Sequence, residues 1–337
     1  MRKNSESVRN MKKIKWILVA ALVLSVWGGG SETAKAAQEN LALTQQKSIL
    51  APSGICKTKS GDMYLSDRNY HVLRKRSASG NYVILAGTEG ESGYKDGSTK
   101  EALFHSPWDV VSYKNGLAIS DTENHVIRFY KGGKVSTIAG SGNVGKKNAS
   151  GKKASFHRPT GLAVGDKGEL YIADTGNHVI RVMDKKGKVS VFAGSKKGCA
   201  GGKVKNARFC EPTGLCYYKG ALYVADSGNH RICKIKNGKV TTIAGSAKGA
   251  EGSSIGKATK ACLSNPQEIC WANGKMYIAD TGNGAVKLLQ NGKVSEIVKA
   301  YSLSEGTAPV EPCGLMIKGK YLFVGDMFTE ELLKIEL

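Results

Sequence analysis

A segment of about fifty residues recurs six times along this 337-residue chain, and this repetition constrains the fold more than any other feature. A proline opens each copy at a nearly even step: Pro52, Pro107, Pro159, Pro212, Pro266 and Pro312. An aspartate follows each proline at a similar distance: Asp67, Asp121, Asp174, Asp226, Asp280 and Asp326. Such regular self-similarity indicates a repeat architecture, in which each unit buries its apolar face against a neighbouring unit.

The third copy contains four short apolar runs, at 161–164, 170–173, 179–183 and 189–192, each bounded by turn residues. Short runs rich in Val, Ile, Leu and Tyr predict strands, and the Asp and Gly between them favour tight turns. Each copy is therefore predicted to be a four-stranded antiparallel meander. Six such sheets arranged radially make an all-β, six-bladed β-propeller.

The motif D-[TS]-G-N-H-x-I at 174–180 and 226–232, followed by G-K-V-x-x-[IF]-A-G, resembles the NHL repeat. The linking segment that ends in A-L-F-H-S-P at 102–107 is also similar to the segment between NHL repeats. The resemblance covers roughly residues 38–337 and implies a propeller of the NHL/TolB-like type. We expect its blades to open near residues 51, 106, 158, 211, 265 and 311.

The sixth copy ends at Leu337, after its third predicted strand. A closed ring needs a fourth strand there, because the last sheet would otherwise keep an unpaired edge. The segment 39–45 alternates as a strand does, and we predict that it pairs with 332–337. The last blade would then combine both ends of the chain.

The N-terminus has the pattern of a secretory signal. Lys12, Lys13 and Lys15 precede an apolar run at 16–27, and small residues ending in A-K-A at 34–36 follow it. We therefore predict a signal peptide at 1–36 and a mature propeller domain at 37–337 without a transmembrane span, since a span needs about 20 apolar residues. We expect a monomer that is secreted by a bacterium or held at its cell surface.

The formal net charge of +22 would attract polyanions. Lysines far outnumber arginines and recur in the turns all round the predicted ring, whereas specific phosphate or base recognition favours arginine. A solubilising surface is the simplest interpretation, and lysine-driven binding of an anionic cell-envelope polymer is an alternative. We expect no specific nucleic-acid partner.

The eight cysteines fall into three groups. Cys56, Cys216 and Cys270 occupy one repeat position in the innermost strand, which favours small buried side chains. Cys199 and Cys210 flank the long loop before the fourth blade, and we predict a disulfide between them, because exported proteins retain such bonds. No pairing is predicted for the remaining three: Cys233, Cys262 and Cys313.

Four histidines recur directly after the aspartate turn: His71, His125, His178 and His230. Equivalent positions on neighbouring blades are about 60° apart in a six-bladed ring, so these side chains cannot converge on one metal ion. We expect each histidine to support the strand junction of its own blade.

Side chains from different blades can converge only where the innermost strands begin, at the mouth of the central channel. The position two residues after the anchor proline is Gly in four copies, but Asp109 in the second and Glu268 in the fifth. These blades face each other, so the two carboxylates could bind a cation or act as an acid–base pair. Alternatively, each carboxylate accepts hydrogen bonds from backbone N–H groups of its loop.

The remaining candidates for a binding site form a polar and aromatic rim around this mouth: Trp108, Arg158, Glu211, Asn265, Gln267 and Glu311. Such a mixture suits a peptide or a saccharide. We call the end of the ring that carries the anchor prolines and aspartate turns the top face. The function that we favour is a non-catalytic scaffold that binds a protein, peptide or cell-envelope ligand there.

The alternative is a metal-dependent lactonase or lyase. Gluconolactonase-type enzymes resemble NHL proteins in shape and hold a divalent cation with Glu, Asn and Asp, and amidating lyases with similar propellers use histidines. The position after each anchor proline here offers none of these residue types: Ser53, Trp108, Thr160, Thr213, Gln267 and Cys313. We predict no cofactor, and if calcium or another divalent cation binds, its ligands would be Asp109 and Glu268.

Overall fold

The computed structural model describes residues 52–77, 80–299, 302–303, 306–307, 311–328 and 330–337. The predicted signal peptide at 1–36 and the predicted closing strand at 39–45 lie outside these residues. The described residues belong to one compact unit. Among the described residues, no helix has the length and apolarity needed to cross a bilayer.

The predicted six-bladed propeller is confirmed. Each of the first five blades is an antiparallel sheet whose four main strands pair in chain order. The first blade comprises β1 (Pro52–Lys57), β2 (Met63–Asp67), β3 (Val72–Arg76) and β4 (Tyr82–Ala86). The sixth comprises β27 (Pro312–Lys318), β28 (Tyr321–Asp326) and β29 (Glu331–Glu336) within the described residues.

Blades two to five carry an additional two-residue strand, donated by the preceding loop, on the outer edge of the sheet. Blade two consists of β5 (Gly97–Ser98), β6 (Pro107–Tyr113), β7 (Gly116–Asp121), β8 (Val126–Lys131) and β9 (Lys134–Ala139). Blade three consists of β10 (Ala149–Ser150), β11 (Pro159–Val164), β12 (Leu170–Asp174), β13 (Val179–Met183) and β14 (Lys188–Ala193). These edge strands are a feature that the repeat pattern did not predict.

Blade four consists of β15 (Gly202–Lys203), β16 (Pro212–Tyr218), β17 (Ala221–Asp226), β18 (Arg231–Lys236) and β19 (Lys239–Gly245). Blade five consists of β20 (Gly256–Lys257), β21 (Glu268–Ala272), β22 (Lys275–Asp280), β23 (Ala285–Gln290) and β24 (Lys293–Lys299). A hairpin, β25 (Ser302–Leu303) and β26 (Gly306–Thr307), precedes blade six. Short 3-10 turns lie at Thr122–Asn124, Gly151–Lys153, Thr175–Asn177, Ser227–Asn229 and Thr281–Asn283.

The apolar core lies between blades rather than within them. One cluster joins Leu73 and Ala86 of blade one to Val110 of blade two, and similar clusters occupy the other boundaries. The linking segments contribute fully buried side chains to these clusters: Phe104, Phe156, Phe209 and Leu263. This placement explains why no single repeat could bury its apolar face alone.

Hydrogen bonds cross the innermost boundaries all the way round the ring. Ser53 Oγ of blade one donates to the Trp108 carbonyl of blade two at 2.6 Å. Cys313 Sγ of blade six lies 3.1 Å from the Pro52 carbonyl oxygen of blade one. The first and last described blades therefore meet at their inner strands and close the ring.

Candidate functional site

The aspartate that ends the second strand of each blade is the centre of a buried polar network. In blade three, Asp174 Oδ2 accepts hydrogen bonds from Asn177 Nδ2 at 2.9 Å and from Arg181 Nη1 at 2.8 Å. Asp174 Oδ1 accepts the backbone N–H of His157 at 2.8 Å. Asn177 Nδ2 also donates to the Gly145 carbonyl at 2.7 Å, so the network holds the loop between blades against the sheet.

The same network recurs in other blades, with a cation from the third strand paired to the aspartate. These ion pairs are Arg74 with Asp67, Arg128 with Asp121, Arg231 with Asp226 and Lys287 with Asp280. The aspartates were predicted from the sequence, but the cations were not. Their repeated position in the third strand was the signal that could have found them.

Thr175 and His178 of the same motif contact the following blade. The hydroxyl of Thr175 donates to the Pro212 carbonyl at 2.7 Å. His178 Nδ1 accepts the backbone N–H of Glu211, the residue before that proline, at 3.1 Å. The expectation that each histidine supports its own strand junction is therefore wrong. The 3-10 turn at Thr175–Asn177 ends in a left-handed residue, with φ at 57° in His178.

This histidine contact recurs at three further blade boundaries. The donors are the backbone N–H groups of Ser106, Arg158 and Asn265, and the acceptors are Nδ1 of His71, His125 and His230, respectively. Each donor, like Glu211, has a positive φ between 45° and 52°. In blade six, the backbone N–H of Glu311 instead donates to Asp326 Oδ2 at 3.1 Å. The backbone that presents the predicted rim is thus fixed, while the side chains of Arg158, Glu211 and Glu311 are exposed.

Arg68 of blade one lies next to two of the predicted rim residues, Trp108 and Arg158. Arg68 stacks over the Trp108 ring at 4.4 Å from its centroid, and it interacts electrostatically with Arg158. Arg158 forms an ion pair with Glu123 at 2.9 Å. Arg68 was missed by the sequence analysis because blade one departs from the repeat at this turn.

Two buried polar atoms at this mouth lack a partner. Trp108 Nε1 and Gln267 Oε1 each have no hydrogen-bond partner among the described residues. Such atoms are rare in folded proteins, since burial without a hydrogen bond costs free energy. They come from blades two and five, and one is a donor and the other an acceptor.

Asp109 and Glu268 both line a cavity of about 200 Å³ in the central channel. Asp109 accepts backbone N–H groups from Val110 at 2.7 Å and from Leu162 of the next blade at 2.8 Å. Glu268 accepts the backbone N–H of Ile269 at 2.8 Å. These contacts agree with the second of the two predicted alternatives, in which each carboxylate accepts hydrogen bonds from backbone N–H groups.

Burial raises the pKa of Asp109 to about 7. Burial, together with the charge of Asp109, raises the pKa of Glu268 well above its usual range. Each side chain is only 7% exposed. The pair therefore gains protons more readily than ordinary carboxylic acids do, because burial disfavours both charged forms and because, for Glu268, the charge of Asp109 repels a second negative charge.

Neighbouring glycines make room for these two side chains. A Cβ at Gly54 would lie 2.6 Å from Asp109 Oδ1, and a Cβ at Gly214 would lie 2.9 Å from Glu268 Oε1. A Cβ at Gly161 would lie 2.1 Å from the Thr213 carbonyl oxygen. The glycine at this repeat position is therefore required by the close approach of adjacent inner strands.

The channel residues do not fit the metal site of a lactonase. Within the described residues, no three His, Cys, Asp or Glu side chains lie close enough together to hold a metal ion. Both carboxylate oxygens of Asp109 are already engaged by backbone N–H groups. Cys56, Cys216 and Cys270 line the same cavity, but burial raises the pKa of the Cys216 thiol to about 12 and that of the others as well. These thiols therefore stay protonated and are poor metal ligands.

Cys199 and Cys210 are free thiols in this structure. Cys199 Sγ lies 3.3 Å from the Ala247 carbonyl oxygen, and the two cysteines are near enough to interact electrostatically. The disulfide between them stays a prediction.

Comparison with known proteins agrees with this geometry. The family model of the NHL repeat matches residues 156–183 and 209–235, which carry the turn and histidine contacts of blades three and four. The chain contains NHL repeats. NHL repeat-containing protein 2 of Bos taurus is 29% identical over 313 residues, covering 80% of this chain and 43% of that protein. Protein SUPPRESSOR OF QUENCHING 1, chloroplastic, of Arabidopsis thaliana is 27% identical over 322 residues, covering 72% of this chain and 30% of that protein.

Solved structures with the same fold are more distant from this NHL-repeat protein in sequence. An auxiliary nutrient binding protein from Bacteroides thetaiotaomicron has a TM-score of 0.62 at 13% identity, covering 84% of this chain and 68% of that one. Virginiamycin B lyase from Staphylococcus aureus has a TM-score of 0.53 at 14% identity, covering 84% and 94%. These likenesses concern the fold alone. The NHL-repeat chain spans less than half the length of the two relatives matched by sequence.

Proposed function

We propose that this NHL propeller is a non-catalytic scaffold that binds a peptide or a protein segment across the channel mouth on its top face. The observation that carries the proposal is the pair of unpartnered buried atoms, Trp108 Nε1 and Gln267 Oε1. A peptide group offers a carbonyl oxygen to the first and an N–H to the second. Both atoms are buried in the free ring, so an extended peptide would bond to them by displacing the side chains that cover them, with Arg68 over the Trp108 ring among them.

The rim supports the same conclusion. Its exposed charges are mixed, with Arg158 beside Glu123 and with Glu211 and Glu311 on other blades. A mixed rim suits a peptide better than it suits a uniform polyanion. Because histidine and aspartate contacts hold the rim backbone in place, little conformational freedom is lost there on binding.

The proposal includes export of the protein from the cell. The basic, apolar and small-residue pattern of 1–36 supports export from a bacterium, and the ligand would then be a secreted or envelope-attached chain. The lactonase or lyase alternative is disfavoured because the channel carboxylates lack a third ligand of suitable chemistry among the described residues.

A displayed random-peptide library tests the proposal. Selected peptides are titrated against the wild-type protein and against Trp108→Phe, which removes the Nε1 donor and keeps an aromatic ring. We expect affinity to fall by about tenfold, because one hydrogen bond to a buried donor is lost. Trp271→Phe is the matched control, since Trp271 Nε1 is also unpartnered but belongs to the opposite end of blade five.

Two outcomes would contradict the proposal. Peptides that bind Trp108→Phe as tightly as the wild type, but lose affinity for Trp271→Phe, would place the binding surface away from the channel mouth. Turnover of lactone substrates that depends on Asp109 would favour the enzyme alternative.

A further inference from the structure

A second concave surface lies on the bottom face, defined as the end of the ring that carries the turns between first and second strands. It is a cleft of about 570 Å³ bounded by turns of blades one, two and three. This volume is within the range of small-molecule sites, which is about 300–1,000 Å³. We call it the bottom cleft and define it by six of its lining residues: Lys59, Tyr64, Tyr113, Lys114, Tyr130 and Lys131.

The bottom cleft is open where comparable blade boundaries are filled. Between blades three and four, Tyr171 stacks on Tyr217 with ring centroids 5.7 Å apart. Between blades four and five, Tyr218 stacks on Trp271 at 5.2 Å. Between blades one and two, the half-buried Tyr64 and Tyr130 instead line a cavity, so part of each ring is available to a ligand.

The charge of the bottom cleft has one sign. Its ionisable lining side chains other than tyrosine are Lys59, Lys114 and Lys131, and all three are exposed. Lys114 Nζ is held near the cleft by donating to the Lys185 carbonyl at 3.1 Å. The nearby acid Asp62 is paired with Lys75 at 3.1 Å, which reduces its effect on an anion. The cleft therefore favours a negatively charged ligand.

A buried hydroxyl supplies the second, independent observation. Tyr113 is only 3% exposed, and its hydroxyl has no hydrogen-bond partner among the described residues. Buried hydroxyls are normally hydrogen-bonded, so this one calls for a partner from outside the protein. A hydroxyl or ring oxygen of a ligand in the bottom cleft can supply it.

We propose that the bottom cleft binds an anionic saccharide, a sugar that carries a phosphate or a carboxylate. Tyrosine rings provide the amphipathic walls on which a sugar packs, the Tyr113 hydroxyl bonds to a sugar oxygen, and the lysines bind the charged group as solvated point charges. The site is separate from the channel mouth, because its lining residues lie in or beside the turns at the other end of the strands.

The experiment is a calorimetric titration of the full-length protein with four probes: glucose 6-phosphate, glucuronate, glucose and inorganic phosphate. We expect glucose 6-phosphate, glucuronate or both to bind at least about tenfold more tightly than glucose or phosphate alone. The preferred charged sugar identifies the anionic group. Failure of both charged sugars to bind at about 10 mM, or equal affinity for inorganic phosphate, would overturn the proposal.

Single-residue variants test whether the saccharide binds in the bottom cleft. Tyr113→Phe removes only the unpartnered hydroxyl, so we expect an unchanged or higher melting temperature together with about tenfold weaker sugar binding. Lys131→Gln should also weaken binding, and the effect should shrink at high salt. Tyr218→Phe and Lys236→Gln, at the equivalent positions of blade four, are the matched controls and should leave affinity unchanged. Undiminished binding in both Tyr113→Phe and Lys131→Gln would contradict the assignment.

Discussion

His178 Nδ1 accepts the backbone N–H of Glu211 at 3.1 Å, across the boundary between blades three and four. The imidazole must be unprotonated at Nδ1 to accept this bond, and the bonded residue presents its side chain at the rim. One residue of the repeat motif therefore joins two blades and positions part of the proposed binding surface.

Replacing His178 with Gly should lower the free energy of unfolding by about 1 kcal/mol, because a single hydrogen bond is lost. Glycine keeps the left-handed backbone, and Gly284 holds the equivalent position in blade five with φ at 59°. Thermal unfolding of the variant measures the loss. A variant as stable as the wild type at neutral pH would contradict the assigned role.

The same histidine predicts a dependence on pH. Burial lowers the pKa of His178 below its ordinary value, so its contribution to stability is present above about pH 6.5 and is lost as the pH falls through the lowered pKa. The stability difference between the wild type and His178→Gly should therefore shrink in acid. A difference that grows in acid would contradict this account.

The buried ion pair of Arg181 and Asp174 should be costly to break. Neither side chain is exposed, so Arg181→Met would leave an uncompensated carboxylate and should cost about 3–5 kcal/mol of stability. Arg181→Lys is the matched control, because Lys287 pairs with Asp280 at 2.7 Å in the same position of blade five. Denaturant unfolding of both variants distinguishes them, and equal losses would show that the charge is not the cause.

Glu268→Gln should change the effect of alkaline pH. Because the pKa values of Glu268 and Asp109 are raised, the folded protein binds more protons than the unfolded one above about pH 4, and stability falls as the pH rises through these raised values, which are about 7 for Asp109 and well above the usual range for Glu268. Gln keeps the acceptor for the Ile269 N–H and carries no charge. The variant should therefore be more stable than the wild type at about pH 8 and equally stable at about pH 4.

Melting curves across this pH range measure the difference. Glu91→Gln, a change at an exposed acid, is the control and should give the wild-type curve. A Glu268→Gln variant that is less stable than the wild type at alkaline pH would mean that the carboxylate is stabilised by a contact absent from this account.

Divalent cations should have little effect on the fold. The two channel carboxylates already accept backbone N–H groups, and among the described residues no third ligand joins them. We expect calcium, zinc and chelators to leave the melting temperature unchanged, and elemental analysis to find no stoichiometric metal. A bound ion whose effect disappears in Asp109→Ala would restore the lactonase or lyase alternative.

Oxidation should join Cys199 to Cys210. The loop between them is short, so in the chain-entropy model the bond would stabilise the fold by about 2–3 kcal/mol. Peptide mapping after thiol blocking measures the pairing, with Cys199→Ser as the control. A bond from either residue to Cys262 would contradict the prediction.

The repeat period and the alternation of apolar runs were sufficient to predict the propeller, because each blade is encoded locally by strand and turn signals. Contacts between blades were harder to predict from the sequence. The role of His178 depends on a residue of the next copy, and the sequence alone does not reveal which blade an imidazole faces. Arg68 was missed for a related reason, since it occupies an irregular turn of blade one and contacts Trp108 of the next blade.

The candidate site was predicted in outline. Asp109 and Glu268 were placed together in the channel because they break a glycine position, and the structure brings them into one cavity. Their hydrogen bonds to backbone N–H groups were foreseen as one of two alternatives. The unpartnered Trp108 and Gln267 atoms could not be predicted, because burial without a partner is a property of the packed ring.

Site-specific photo-crosslinking of a library-selected peptide tests the central claim most directly. A benzophenone amino acid is placed at Glu211 on the top rim and, in a second protein, at Lys186 in an exposed bottom turn. We predict that the peptide crosslinks from position 211 and not from position 186. Crosslinking from position 186 alone, at saturating peptide, would contradict the claim that the top face is the binding surface.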